Sequence, residues 1–261
     1  MSTLLALVAL MGCGPSRDVA AGEAALARGE LDVAEARFKA AIEVAPEDGA
    51  ALYGLAWTLH LAGRTELARA TFERCVDLHP ERVDCLRGLG SAAMAAGNLA
   101  VARRRLEEAA SRAPDDPSVA QSLALLDLRG GDAARALARL DALAERPAEV
   151  ELVRAECLRA LQRYEEAIAA ADAAARGSSG RVYAMARVTR ARALHAGAAG
   201  RVDPADCAAT APPVREWLSR ANASLDEAEA TGVDIPGLHE LRRDVRRATD
   251  RVRDACPSAP G

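Results

Sequence analysis

Apolar and small residues recur along most of the chain at spacings of three and four, which predicts amphipathic helices. Strand-forming residues are sparse and show no period-two alternation, so nothing in the pattern favours a sheet. Glycine and proline interrupt the helical pattern at regular intervals and mark turns between short helices. The pattern therefore predicts an all-α chain of paired helices.

Four columns of residues repeat along the chain with a spacing of 34 positions. Each column holds one kind of side chain: a glycine, a small alanine, a large apolar residue or a proline. The members are Gly29, Gly63, Gly97 and Gly131; Ala34, Ala68, Ala102 and Ala136; Phe38, Phe72, Leu106 and Leu140; and Pro46, Pro80 and Pro114, with Pro147 one residue early.

Each column has a physical role in a helix–turn–helix unit. The glycine suits the left-handed turn that ends a first helix, and the alanine lets two helices cross closely. The large apolar residue lies one turn further along the same face and fills the space between helices. The proline ends the second helix. Because such a unit cannot cover its own apolar face, neighbouring units must stack.

This pattern resembles the tetratricopeptide repeat, most closely in residues 49–82, where Leu52, Gly63, Ala68, Phe72 and Pro80 occupy signature positions. The resemblance implies a right-handed α-solenoid of about six such units. Their predicted bounds are 15–48, 49–82, 83–116, 117–147 and 148–181 within an array over 18–181, then a divergent sixth repeat over 182–236. This sixth repeat is expected to have a long inter-helix loop at 197–213, and residues 237–261 are expected to form a capping helix and a tail.

The resemblance also implies that the first helices line a concave groove that binds a peptide or helical segment of another protein. The groove positions include two glycines, Gly54 and Gly88. The expected binding side chains are Tyr53, Trp57, His60, Arg87, Ser91, Met94, Gln121 and Leu125.

Tyr53, Trp57 and His60 share one helix face, because they are four and three positions apart. Two interpretations of Trp57 stay open: it anchors a partner, or it packs against the neighbouring repeat as part of the core. The groove has few charges and no cluster of basic residues, so it suits an apolar segment better than a charged C-terminal tail.

The first residues predict export. An apolar run from Leu4 to Met11 precedes Cys13, and Leu10-Met11-Gly12-Cys13 resembles the lipobox of bacterial lipoproteins. The resemblance implies a signal peptide at 1–12, a lipid on Cys13 and a short tether at 13–17. The chain would then face the periplasm from a membrane of the cell envelope, the outer membrane being favoured over the inner. No positive charge precedes Leu4, and an apolar N-terminus with an incidental cysteine is the alternative.

Five further cysteines follow Cys13, and an odd number leaves at least one of them unpaired. Cys207 and Cys256 fall outside the regular repeats and are candidates for one disulfide. Cys75 and Cys85 flank the turn between two repeats and are candidates for a second, although Cys75 equally suits a small core position. Without a Cys-x-x-Cys motif or a Cys/His cluster, no metal site is expected.

Composition excludes several classes of function. The net charge is −4, so no basic field attracts nucleic acid. No phosphate-binding loop, nucleophile elbow or His-Glu-x-x-His motif is present, so we predict neither catalysis nor a cofactor. The sequence is interpreted as a lipid-anchored scaffold, and its architecture is similar to that of lipoproteins that assemble type IV pilus secretins. A cytoplasmic adaptor and a peptidoglycan-associated scaffold are the alternatives.

Overall fold

A computed structural model describes residues 16–257, which form thirteen α-helices and no strand. The all-α, helical-repeat fold of the solenoid type is therefore confirmed. The predicted signal peptide and Cys13 lie outside the described residues. The described chain divides into two compact units, which meet in sequence at Arg112 and Ala113.

The first unit consists of three antiparallel helix pairs. Their bounds are α1 Arg17–Ala27, α2 Leu31–Val44, α3 Gly49–Leu61, α4 Thr65–Leu78, α5 Val83–Ala95 and α6 Leu99–Arg112. Phe38 on α2 and Phe72 on α4 are completely buried, as the repeated large apolar column predicts. Asp48 caps α3 by accepting hydrogen bonds from the backbone N–H groups of Ala50 and Ala51.

The repeated glycines end the first helix of each pair in a left-handed conformation. Gly29, Gly63 and Gly97 have φ values of 75°, 73° and 79°. The residue after each glycine donates a hydrogen bond to the last turn of the helix, as in the bond from the Arg64 N–H to the Leu59 carbonyl. Glycine adopts this backbone without strain, so the column fixes where each chain reversal occurs.

The second unit consists of seven helices. Their bounds are α7 Pro117–Arg129, α8 Ala133–Asp141, α9 Ala148–Ala160, α10 Tyr164–Ala175, α11 Gly180–Ala198, α12 Cys207–Glu229 and α13 Leu238–Ala255. The core is rich in alanine and leucine. Small side chains let helix axes approach closely, so this core depends on helix proximity more than on bulky side chains.

The predicted long loop at 197–213 is wrong in its second half, because α12 already begins at Cys207. Asp206 caps the helix by accepting a hydrogen bond from the Ala209 N–H, and Pro212 and Pro213 lie inside the helix. Proline supplies a helical φ but removes the N–H donor of a helical hydrogen bond, so the packing of α12 on α11 must offset the bonds lost at these two positions. The true connection is limited to residues 199–206.

The last helix, α13, follows a left-handed Gly237 and packs on α12 and α11. Its stripe of Leu238, Leu241, Val245 and Val252 is buried, as the 3/4 spacing predicts. Arginine and aspartate occupy most of its remaining surface.

Within residues 16–257, no helix is both long enough and apolar enough to cross a membrane.

Candidate functional site

One face of α3 carries three ring side chains in contact. The Tyr53 and Trp57 rings are stacked, with centroids 6.4 Å apart and planes inclined by 13°. The His60 ring lies 5.2 Å from the Trp57 ring, centroid to centroid. All three side chains are partly exposed, so the rings are neither fully core nor fully in solvent. An apolar, preformed surface of this kind suits side chains of a partner.

The neighbouring helix α5 adds a cation to this face. The Arg87 Nη2 donates a hydrogen bond to the Tyr53 hydroxyl at 2.7 Å, and its guanidinium carbon lies 5.6 Å from the Trp57 ring centroid. Arg87 is 34 residues after Tyr53, one repeat further along the chain. We call Tyr53, Trp57, His60 and Arg87 the aromatic face.

The guanidinium of Arg87 forms no ion pair with any residue of 16–257. The nearby carboxylate of Asp84 is instead bound by Arg82, through two hydrogen bonds. Burial raises the pKa of Tyr53, while the neighbouring Arg87 charge opposes the rise, so the phenol stays neutral and keeps its proton. Burial lowers the pKa of His60, so its imidazole is neutral near pH 7. The aromatic face thus has one positive charge among neutral rings.

Two predicted groove positions, Gly54 and Gly88, are buried and are not exposed to a partner. A Cβ on Gly54 would lie 2.3 Å from the Phe38 ring, and one on Gly88 would lie 2.2 Å from the Phe72 ring. Both glycines are therefore notches that accept the phenylalanine of the preceding repeat. Their prediction as groove-lining positions is wrong. The phenylalanine ring of the preceding repeat fills the space that a side chain at either glycine would need.

The other predicted binding residues differ in their exposure. Ser91 on α5 is partly exposed, whereas Met94 is only 7% exposed and presents little surface to a partner. Gln121 and Leu125 lie on α7 in the second unit. Gln121 donates a hydrogen bond to the Glu149 carbonyl, and Leu125 packs against the core. We therefore restrict the candidate site to the aromatic face of the first unit.

The second unit has an aromatic–cation contact that the sequence pattern did not predict. The guanidinium of Arg187 lies 5.0 Å from the Tyr183 ring centroid, and the Tyr183 hydroxyl donates to Glu227 at 3.0 Å. Arg187 also pairs with Asp172 and Glu227. Its charge is satisfied within the unit, so it stabilises packing rather than offering a binding site. Tyr183 and Arg187 are four apart on one helix, which is the signal that pattern reading could have used.

Four cysteines are joined in pairs. A disulfide connects Cys75 on α4 to Cys85 on α5, with Cα atoms 6.0 Å apart, and another connects Cys207 to Cys256, with Cα atoms 5.4 Å apart. Cys157 is a buried free thiol, and burial raises its pKa to about 11. In the part of the chain that the structure describes, no group of three or more His, Cys, Asp or Glu side chains is placed to hold a metal ion.

Two family models match the chain, and both are described as tetratricopeptide repeat. One matches residues 19–83 and 122–182, and the other matches residues 59–126, which together extend over three fifths of the chain without a break. The chain belongs to the tetratricopeptide repeat (TPR) family. TPR proteins are typically non-catalytic scaffolds for other proteins, and the fold by itself indicates an interaction role.

Solved structures agree with this assignment. The TPR protein TTC0263 of Thermus thermophilus is 25% identical with a TM-score of 0.62, over 68% of this chain and 97% of that one. The pilF protein of Pseudomonas aeruginosa is 19% identical with a TM-score of 0.58, over 87% of this chain and 96% of that one.

The Cut9–Hcn1 hetero-tetramer of the APC/C gives a TM-score of 0.66 at 18% identity. This TPR chain matches it over 88% of its own length but spans only 42% of that chain. The likenesses to pilF and Cut9–Hcn1 concern the fold alone. No curated protein matches the chain.

Proposed function

We propose that this TPR protein is a scaffold that binds a segment of another protein on the aromatic face. The observation that carries the proposal is the cluster itself: stacked rings that are partly exposed, beside an arginine with no acidic partner among the described residues. The Arg187 guanidinium over Tyr183 is paired with carboxylates of its own unit, whereas Arg87 has no such partner within residues 16–257 and is partly exposed, so it can pair with an acidic group of a partner. Tryptophan, tyrosine and arginine are also the residue types that contribute most to protein interfaces.

The geometry favours a segment with an apolar side chain and an acidic neighbour. The apolar side chain would pack on the Trp57 and Tyr53 rings, where desolvation of apolar surface stabilises the complex. A carboxylate on the same segment would pair with Arg87, whose guanidinium is already oriented by the Tyr53 hydroxyl. Pre-orientation lowers the entropic cost of that ion pair.

Photo-crosslinking in cells tests the binding face. A photoreactive amino acid placed at position 60, on the aromatic face, is expected to capture one defined protein. The matched control is position 78, because Leu78 on α4 of the same unit is 39% exposed but does not belong to the aromatic face. Capture from position 78 and not from position 60 would contradict the proposal.

We further propose that the protein is held in the cell envelope by a lipid on Cys13 and faces the periplasm. The lipobox-like sequence from Leu10 to Cys13 supports this anchor. Two disulfides fit an oxidising compartment, because thiols in a cytosol are kept reduced. Mass spectrometry of the membrane fraction should find Cys13 acylated and residues 1–12 removed. A soluble, full-length product would instead favour a cytoplasmic adaptor.

Assembly of an envelope complex, such as a type IV pilus secretin, is the more specific role that we propose for this scaffold. It is supported by the combination of a TPR array with the lipobox-like sequence, and the likeness to pilF is a likeness of fold. Deleting the gene should reduce the heat-resistant secretin multimer on a denaturing gel, and restoring it should recover the multimer. An unchanged multimer would contradict this role while leaving the aromatic face untouched.

A further inference from the structure

A small pocket lies in the second unit. It opens between the end of α11, the connection at 199–206, α12 and α13, and its volume is about 190 Å³. An apolar cavity of about 150 Å³ holds a benzene-sized molecule, so this pocket has room for a ring or a short acyl segment.

Most of the side chains that line the pocket are apolar. Val202 from the connection, Val214 and Leu218 from α12 and Val252 from α13 face it, together with small alanines such as Ala248. Leu218, Val214 and Val252 are buried side chains that also belong to the core of the unit. This apolar part of the lining favours an apolar group as the occupant.

Two polar side chains stand at the edge of the pocket. Arg251 on α13 is exposed and forms no ion pair with any residue of 16–257. His195 on α11 is partly buried, and burial lowers its pKa, with the Arg251 charge adding to that effect and Asp244 opposing it. The imidazole is therefore neutral near pH 7, and among the described residues that line the pocket Arg251 is the one that carries a charge.

The pocket is fixed in shape by links at the end of α13. The disulfide from Cys207 to Cys256 joins the start of α12 to the residue after α13. Arg215 on α12 also donates a hydrogen bond to the Cys256 carbonyl. These links hold the wall that carries Arg251 and Val252, so a ligand does not have to order it.

We propose that this pocket binds a small anionic amphiphile, a fatty-acid carboxylate whose apolar tail enters the pocket and whose head group pairs with Arg251. The tail contacts the buried apolar side chains of the lining. The head group pairs with the Arg251 guanidinium, which forms no ion pair within residues 16–257. This site is independent of the aromatic face, since all its residues belong to the second unit.

Calorimetric titration of the purified chain with octanoate, and with octanol as the neutral match, tests the proposal. Octanoate is expected to bind more tightly than octanol. Arg251→Gln should weaken octanoate by roughly 3- to 10-fold and leave octanol unchanged. The control is Arg243→Gln, because Arg243 lies on the same helix, is 68% exposed and is not part of the pocket.

A variant with a filled pocket distinguishes ligand binding inside the pocket from ligand association with the protein surface. Ala248→Phe places a ring in the pocket from α13 and should abolish binding of both ligands, with helix content checked by circular dichroism. The double variant Cys207→Ala, Cys256→Ala frees the end of α13 and should weaken octanoate several-fold. Equal binding of octanoate and octanol to the unchanged protein would overturn the proposal. Unchanged octanoate binding in Ala248→Phe would also overturn it. So would octanoate binding that is detected only after anionic phospholipid vesicles are added to the protein.

Discussion

Replacing Gly88 with alanine tests the close packing of one repeat on the next. A helix-interior alanine is favoured over glycine by about 1 kcal/mol, so propensity alone predicts a more stable protein. The structure predicts the reverse. The new Cβ would lie 2.2 Å, 2.6 Å and 2.7 Å from three carbons of the Phe72 ring, which is fully buried. Overpacking of this kind costs about 1–3 kcal/mol.

We therefore expect Gly88→Ala to lower the free energy of unfolding by about 1 kcal/mol, the balance of the two effects. Urea denaturation followed by helical circular dichroism measures it, provided that the slope of the transition is unchanged. Combining the change with Phe72→Leu removes the clash. The free energy of unfolding of the double variant should therefore fall by about 1 kcal/mol less than the sum of the two single-variant losses. The packing of Phe72 against Gly88 would be refuted if Gly88→Ala raised the free energy of unfolding. It would also be refuted if the effects of the two substitutions on that free energy were strictly additive.

Three further predictions concern single groups. Gln162 is exposed with a left-handed φ of 60°, so Gln162→Gly should raise the free energy of unfolding by about 0.5–1 kcal/mol in the same urea assay, and a loss would contradict it. Cys157, buried with a pKa of about 11, should be labelled by a maleimide at neutral pH only after unfolding, as mass spectrometry would show, and rapid labelling of the native chain would refute this. Burial lowers the pKa of His60 from 6.5, so the neutral imidazole makes its full contribution to the free energy of unfolding above that pH. The contribution is lost as the pH falls below 6.5 and protonation favours the unfolded chain. The urea midpoint should therefore fall less on acidification in His60→Gln than in the unchanged protein.

The repeat was predictable because its chemistry is local. A left-handed turn selects glycine, and a crossing of two helices selects alanine, so a fixed spacing of such residues specifies the unit without any knowledge of the partner helix. The turns at Gly29, Gly63 and Gly97 follow from this. The turn at Gln162 does not follow from this spacing. A glutamine adopts the left-handed conformation there, so no glycine in the sequence indicates the turn.

The candidate site was predictable in part. The spacing of Tyr53, Trp57 and His60 places them on one face, but the position of Arg87 over Trp57 depends on how two repeats pack. Burial of Met94 and the filling of the Gly54 and Gly88 notches by rings from the preceding repeat also depend on neighbours distant in sequence.

Proline was the other source of error. The sequence pattern favours a loop at Pro212 and Pro213, since proline more often ends a helix than continues it. The cap at Asp206 and the packing of the long helix α12 on α11 override that preference. The pocket beside this helix could not be predicted, because it is the space left between three helices and a connection.

Capture of a partner by the Trp57→Ala variant tests the central claim most directly. The photoreactive residue at position 60 is retained, and Leu67→Ala serves as the control, since Leu67 is 51% exposed on α4. If Trp57 anchors a partner, its loss should weaken capture by roughly 30-fold, which corresponds to about 2 kcal/mol, with helix content unchanged. Undiminished capture by a folded Trp57→Ala protein would contradict the account, and so would loss of helix content, because Trp57 would then be core rather than contact surface.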